Sequence, residues 1–352
     1  MRRLALLLAL LPCSAARASD EVPRPTGDAV VAPDARLELL FTRSAPIKGG
    51  LTEGPAAAPD GSIYFSDIAF GPDKGMILRF DPKTRRTTVF AADSHKSNGL
   101  KFDANGRLLA CEGADGGGRC VARWDVKSKK REVVADRYMG KRFNSPNDLW
   151  LDRAGNIYFT DPRYLGDEPR ELKHEAVYRI SRDGTVIEIA HDVEKPNGIA
   201  LSADGAWLYV ADHNSGSEHV DKPGTAMKPG AMKVYAFPLG RDGQVDGPRK
   251  TLIDFGSEAG CDGMTRDRRG NLYLAVRSLK RPGVLVLSPA TGQEIAFIPT
   301  APSQPGAKAP KGIPANCCFG VGAESKVLYV TVDTSLYRIP LKVEGWHPTW
   351  EK

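Results

Sequence analysis

Apolar residues along this chain fall in short alternating runs separated by Gly-, Asp- and Asn-rich turns, and no stretch sustains a helical period. One cassette recurs: a polar anchor, small or apolar residues, a turn ending in Gly eight residues on, then a hydrophobic strand. Copies start at Glu53 (EGPAAAPDGSIYFSD), Asn98 (NGLKFDANGRLLACE), Asn147 (NDLWLDRAGNIYFTD), Asn197 (NGIALSADGAWLYVAD) and Asp262 (DGMTRDRRGNLYLAV). A sixth, with an altered turn, starts at Asn316 (NCCFGVGAESKVLYVTV). Tyr64, Tyr158 and Tyr273 fall eleven residues after their anchors, Tyr209 twelve and Tyr329 thirteen, while Leu109 takes the place in the second copy. The anchors are spaced 45, 49, 50, 65 and 54 residues apart, the long interval reflecting an insertion over residues 214–232. Further strands lie between cassettes, so each repeat holds about four, the content of one propeller blade. The pattern predicts an all-β chain, a six-bladed β-propeller with four-stranded blades.

Ring closure adds an expectation. Only 36 residues follow Asn316, short of a full blade, and residues 36–42 (RLELLFT) have no other partner. That N-terminal strand is expected to close the last blade and remove an exposed edge. The domain reading is therefore 1–18 signal peptide, 19–34 flexible N-terminal arm, and 35–352 a single propeller domain.

The N-terminus reads as a secretory signal: Arg2 and Arg3, an apolar run over residues 4–11, and Ala16-Arg17-Ala18 before a cleavage point. Cys13 could mark a lipoprotein, but Pro12 occupies a position where a lipobox has a small residue. The chain is expected to be exported, periplasmic or secreted, and free of the membrane after cleavage, since no stretch approaches the roughly 20 apolar residues of a spanning helix. The net charge of +6 drops to about +3 without Arg2, Arg3 and Arg17, too little and too dispersed for nucleic acid. An exported chain can form disulfides, and Cys111 with Cys120 across a Gly-rich hairpin is the easiest pair. Cys261, Cys317 and Cys318 read equally well as small core residues. Oligomeric state is not legible.

Equivalent blades put the six anchors at the start of six inner strands, converging on one mouth of the central channel. Two carboxylates and four carboxamides would meet there, all oxygen donors. That set suits one hard divalent cation, Ca2+ first, with Zn2+, Mn2+ or Mg2+ as alternatives. Asn-Gly and Asp-Gly are also common turn formers, a reading that does not serve Glu53.

These residues resemble the senescence marker protein, gluconolactonase and luciferin-regenerating-enzyme-like family of six-bladed propellers. The resemblance runs over residues 51–340 and is most specific at GKRFNSPNDLWLDRAGNIYFTDPRY (residues 140–164), which looks like the gluconolactonase branch; EGP (53–55), KPNGIALSADG (195–205) and CDGM (261–264) follow in the family's order. It implies a metal held by Glu53, Asn197 and Asp262, with Asn147 as fourth ligand or close neighbour. It also implies that Arg142 and Asn144, with Asn147 beside them, bind the hydroxyls of a small-molecule sugar lactone. The chain departs from the family at Gly118-Arg119-Cys120 and at the Cys317-Cys318 pair.

The expected chemistry is metal-dependent hydrolysis of the lactone ester, with Asp262 as base or nucleophile. Arg142 would be a bidentate donor to substrate oxygens. Asp161 and Asp212 could line the mouth or cap turns. His95 and His213 could reach the mouth, although surface loops are the simpler reading. No G-x-S-x-G supports a serine triad. Two other readings stay open: a non-catalytic, calcium-stabilised propeller that binds a sugar or protein partner, and a phosphotriesterase-like hydrolase.

Overall fold

A computed structural model of the chain describes residues 21–44, 50–216 and 228–347. The signal segment, Cys13 and the middle of the 214–232 insertion lie outside the described residues. Six four-stranded antiparallel sheets are present, plus a two-stranded ribbon pairing Arg137–Tyr138 with Lys141–Arg142. The inner strands are Leu51–Ala57, Ser97–Phe102, Leu149–Leu151, Pro196–Leu201, Cys261–Arg266 and Pro314–Phe319. Each lies against the inner strands of the blades before and after it, which closes the ring. The expected six-bladed β-propeller is what is observed. Among the described residues the one helical element is a 3-10 turn at Gly322–Glu324.

Closure follows the predicted route. Strand Glu38–Thr42 pairs antiparallel with Ser335–Pro340, the third strand of the last blade. The closing strand is tied to the first blade by Arg43, whose Nε and Nη2 reach both oxygens of the fully buried Asp67 at 2.8 and 2.5 Å. The segment expected as a flexible arm over residues 19–34 packs in part, from Thr26 to Val31, against the fifth and sixth blades. Thr26 bridges to Phe297, and Val30 and Val31 are buried beside Tyr273, Val284 and Val286. Two adjacent apolar side chains suffice to dock the segment, because burying each contributes about 1.5–3 kcal/mol.

The core lies between blades, where inner-strand and second-strand residues interleave. At the end of the channel opposite the anchors, Trp150 stacks on Trp346 at 6.0 Å and 4° between planes, with the Arg266 guanidinium 3.5 Å from the Trp346 ring centroid. The C-terminal segment therefore stoppers one end of the channel, and the anchors line the other.

The Cys111–Cys120 disulfide is not formed; Cys111, Cys120, Cys261, Cys317 and Cys318 are all buried free thiols. Strand register gives the reason. Cys111 pairs with Val121 and Glu112 with Cys120, so the pleat sends the two sulfurs to opposite faces of the sheet.

Candidate active site at the channel mouth

The register of the inner strand breaks at the anchor in five blades: between Glu53 and Ala56, Ser97 and Leu100, Pro196 and Ile199, Cys261 and Met264, and Pro314 and Asn316. Such bulges re-aim a side chain out of the ladder, here toward the channel mouth. The small residue after the anchor has a cause other than turn formation. A Cβ on Gly198 would stand 2.4 Å from the Asp262 carbonyl oxygen, and one on Gly263 2.0 Å from Asn316 Cγ. At these two positions the neighbouring inner strand approaches so closely that only glycine fits.

Five anchors, Glu53, Asn98, Asn147, Asn197 and Asp262, line one cavity of about 280 Å3. Asn316 does not reach it. It lies a layer deeper, donating from Nδ2 to Asp148 Oδ2 at 3.3 Å and accepting from the Cys317 amide at 2.8 Å. The cavity wall also carries Lys96, Tyr164, His213 and Arg277, with apolar Leu51, Phe70 and Leu165.

The electrostatics are those of crowded acids. Burial, with Asp262 and Asp148 nearby, pushes Glu53 well above the usual carboxylate range. One of its oxygens accepts the Gly54 amide at 2.8 Å. Arg277 donates from Nη1 to Asp262 Oδ2 at 2.9 Å. Asn197 donates from Nδ2 to the Tyr164 hydroxyl at 3.0 Å, which turns its carboxamide oxygen the other way. Asn98 Oδ1 is buried and has no hydrogen-bond partner among the described residues. A buried acceptor without a donor, beside two carboxylates and further amide oxygens, is a donor set that a bound cation would satisfy.

Arg142 and Asn144, expected as substrate ligands, are absent from the cavity wall. Arg142 donates to the Gly118 carbonyl and to Asp136, and its amide is held by Glu171. Asn144 is 1% exposed and donates to the His174 carbonyl at 3.0 Å, so its amide group fixes a loop. Asp161 and Asp212 are caps. Asp161 accepts the amides of Asn144 and Ser145, and Asp212 those of Glu194 and Lys195. Burial still pushes Asp161 to about 7 and Asp212 to about 6.

His95 lies outside the cavity, its side chain 40% exposed beside Asp93. His213 is no surface residue: it is buried in the wall, and its Nδ1 faces the Cys261 carbonyl at 3.1 Å. A carbonyl only accepts, so Nδ1 carries the proton and Nε2 is the basic nitrogen. Burial lowers its pKa and keeps the ring neutral.

Arg277 in the wall and Asp148 beneath it stand where one cassette departs from the others. The first four copies end in a carboxylate, Asp67, Glu112, Asp161 and Asp212, but the fifth ends in Val276 followed by Arg277. The third copy alone has a carboxylate, Asp148, where the first, second, fourth and fifth have glycine. Asp148 is buried beneath the anchors and pushed up to about 6 by burial, with Lys101 opposing.

A six-bladed propeller whose open channel mouth is ringed by oxygen donors defines the class. Residues 51–334 match the family model described as SMP-30/Gluconolactonase/LRE-like region, and the chain belongs to that family. It is 29% identical over 334 residues to a gluconolactonase of Zymomonas mobilis, covering 88% of this chain and 85% of that one. A lactonohydrolase of Aspergillus oryzae is 26% identical over 291 residues, 74% of this chain and 62% of that protein. Among solved structures, a gluconolactonase of Xanthomonas campestris superposes with a TM-score of 0.71 at 29% identity, covering 92% of this chain and 96% of that one.

Proposed function

We propose that the chain is a lactonase that hydrolyses a sugar lactone in the channel-mouth cavity, with a divalent cation, calcium, held by Glu53, Asn147, Asn197 and Asp262. The reading is carried by the convergence of oxygen donors from five blades on one cavity, with the Asn98 oxygen left without a donor. Family membership and relatives named gluconolactonase and lactonohydrolase support the substrate class. Oxygen-only ligation by carboxylates and amides favours calcium over softer ions.

The bound cation would act as a Lewis acid on the lactone carbonyl. The protein's part follows from its side chains. Asp262 takes the proton of the attacking water, and Arg277 fixes that carboxylate through Oδ2. Leu51, Phe70 and Leu165 offer apolar surface to the lactone ring. Tyr164 holds the Asn197 amide in place and donates to the His213 carbonyl at 3.0 Å. A second reading of the base rests on His213, a neutral imidazole in the cavity wall with its basic nitrogen unengaged by Cys261. Export after cleavage behind Ala18 belongs to the same proposal, and N-terminal sequencing of the protein from its native compartment tests it.

The deciding experiment compares wild type and Asp262→Asn on glucono-1,5-lactone, a panel of other lactones and a phosphotriester. Lactone turnover that falls at least about 100-fold in the variant, the usual worth of a general base, supports the reading. Preference for the phosphotriester would favour the phosphotriesterase alternative. No turnover of either in folded, calcium-loaded protein would favour a binding propeller.

A further inference from the structure

The outer rim of the third blade carries a cluster unlike the channel mouth. Its outermost strand, Val186–Ala190, has an irregular register against Ala176–Ile180: Ala190 pairs with Val177 but Glu188 with Tyr178, which leaves Ile189 as the extra residue. A bulge beside Glu188 turns its carboxylate along the edge. Both oxygens are met by imidazoles. His191, three residues on, brings Nδ1 to 2.7 Å from Oε1, and His174, from the loop before the blade's third strand, brings Nε2 to 3.1 Å from Oε2. The two rings lie 4.6 Å apart. One donor atom from each residue falls within 4.8 Å of the others.

We propose that His174, Glu188 and His191 form a second metal site, for a divalent transition ion of the zinc type, and that the ion ties the loop over residues 165–174 to the blade's outer strand. Two imidazole nitrogens and one carboxylate oxygen are a recurring zinc ligand set, with solvent completing the coordination. Bonds of about 2.0–2.2 Å in a tetrahedral site separate ligand atoms by roughly 3.3–3.5 Å. The present spacings, 2.7 and 3.1 Å to the carboxylate with all three donor atoms within 4.8 Å, bracket that range. The side chains of His174 and His191 are 43% and 63% exposed, so an ion has an open path. Nitrogen donors also separate this site chemically from the anchors of the channel mouth, which offer only oxygens. Excess calcium keeps the oxygen donors of the mouth occupied and leaves the rim to zinc.

The rim site is connected to the cavity through the chain. The His174 carbonyl accepts the Asn144 side-chain amide at 3.0 Å, and Ser145, Pro146 and Asn147, which follow, line the cavity. Leu165, at the other end of the same loop, lines it too. An ion fixing His174 would hold both ends of this wall.

The test uses mature protein kept in excess calcium and titrated with zinc against a chromophoric chelator, with Co2+ absorption as a report on nitrogen ligation. The expected result is one zinc per chain. His174→Ala and His191→Ala should each weaken it beyond the roughly 10–100-fold that outer-sphere changes cause, while Glu53→Gln leaves it unchanged. Thermal melting checks that the surface variants stay folded. Trypsin cleavage at Arg170 and Lys173 reports the tether: zinc should slow it about tenfold in wild type, as for a locally ordered loop, and not in His191→Ala. No zinc bound in calcium-loaded protein, or equal affinity in a His174→Ala/His191→Ala variant, overturns the site. Binding with unchanged cleavage overturns the tether.

Discussion

Replacing Gly263 with alanine measures how tightly the inner strands converge on the channel axis. Gly263 has an ordinary φ, so the methyl group costs nothing in backbone strain and everything in space. Its ideal position is 2.0, 2.2 and 2.4 Å from Asn316 Cγ, Nδ2 and Oδ1. Asn316 is 2% exposed and has nowhere to go without releasing the Cys317 amide at 2.8 Å and Asp148 at 3.3 Å. Overpacking a tight site costs about 1–3 kcal/mol, and stranding a buried hydrogen-bonding group about 1–3 kcal/mol more. Gly263→Ala should therefore destabilise by about 3–5 kcal/mol in all. Asn316→Ala removes the obstructing carboxamide at a cost of about 2–4 kcal/mol from its two lost partners. In that background the Gly263→Ala change should cost under ~1 kcal/mol, a coupling of roughly 3 kcal/mol between contacting sites. Reversible urea unfolding followed by tryptophan fluorescence, on the wild type, both single variants and the double, closes the cycle. Equal costs of Gly263→Ala in both backgrounds would refute the reasoning, since the penalty would then not arise from Asn316.

Three further outcomes follow. Arg43→Met strands the buried Asp67 carboxylate at the seam between the first and last blades, and should cost about 3–5 kcal/mol by thermal melting; a loss under ~1 kcal/mol would mean the pair does not lock the seam. Asp161 sits near pKa 7 because of burial, above its unfolded value of 3.8, so the folded state holds the proton more tightly. Its contribution is full below about pH 4 and is lost as pH rises to about 7. The stability difference between wild type and Asp161→Asn should shrink over that window and level beyond it, and a difference that is flat or grows would contradict the assignment. His213→Gln should leave lactone turnover within about tenfold if Asp262 is the base; a loss matching Asp262→Asn, with the acidic limb of the pH–rate profile removed, would transfer the role to His213.

The propeller was legible because each blade must repeat one hydrophobic inner strand and one turn, and the spacing from Glu53 to Asn316 counts six. Closure was legible for the same reason, since residues 36–42 had no other partner. The docked arm was not, because the apolar run Ala29-Val30-Val31-Ala32 is too short to announce an element of its own. The Cys111–Cys120 pairing failed on pleat alternation, which sequence separation across a hairpin does not display. At the site, the anchors were readable as a convergent set, yet Asn316 lies a layer deeper because Asp148 holds it there. Arg142 and Asn144 came from resemblance alone, and this chain commits both to loop contacts. Arg277 and Asp148 were visible as the cassettes' exceptions, the places where one blade breaks the rule its neighbours keep. His213 carried no such mark: one residue at a strand end gives no periodic signal, and only the fold shows which way it faces.

The central claim, a metal-dependent lactonase site at the channel mouth, is tested most directly by calorimetric titration of calcium into chelator-treated protein, with glucono-1,5-lactone hydrolysis followed on the same samples. The account predicts one calcium per chain at the mouth, turnover that returns in proportion to its occupancy, and loss of both in Glu53→Gln. Full turnover by metal-free protein, or calcium binding unaffected by Glu53→Gln, would contradict it.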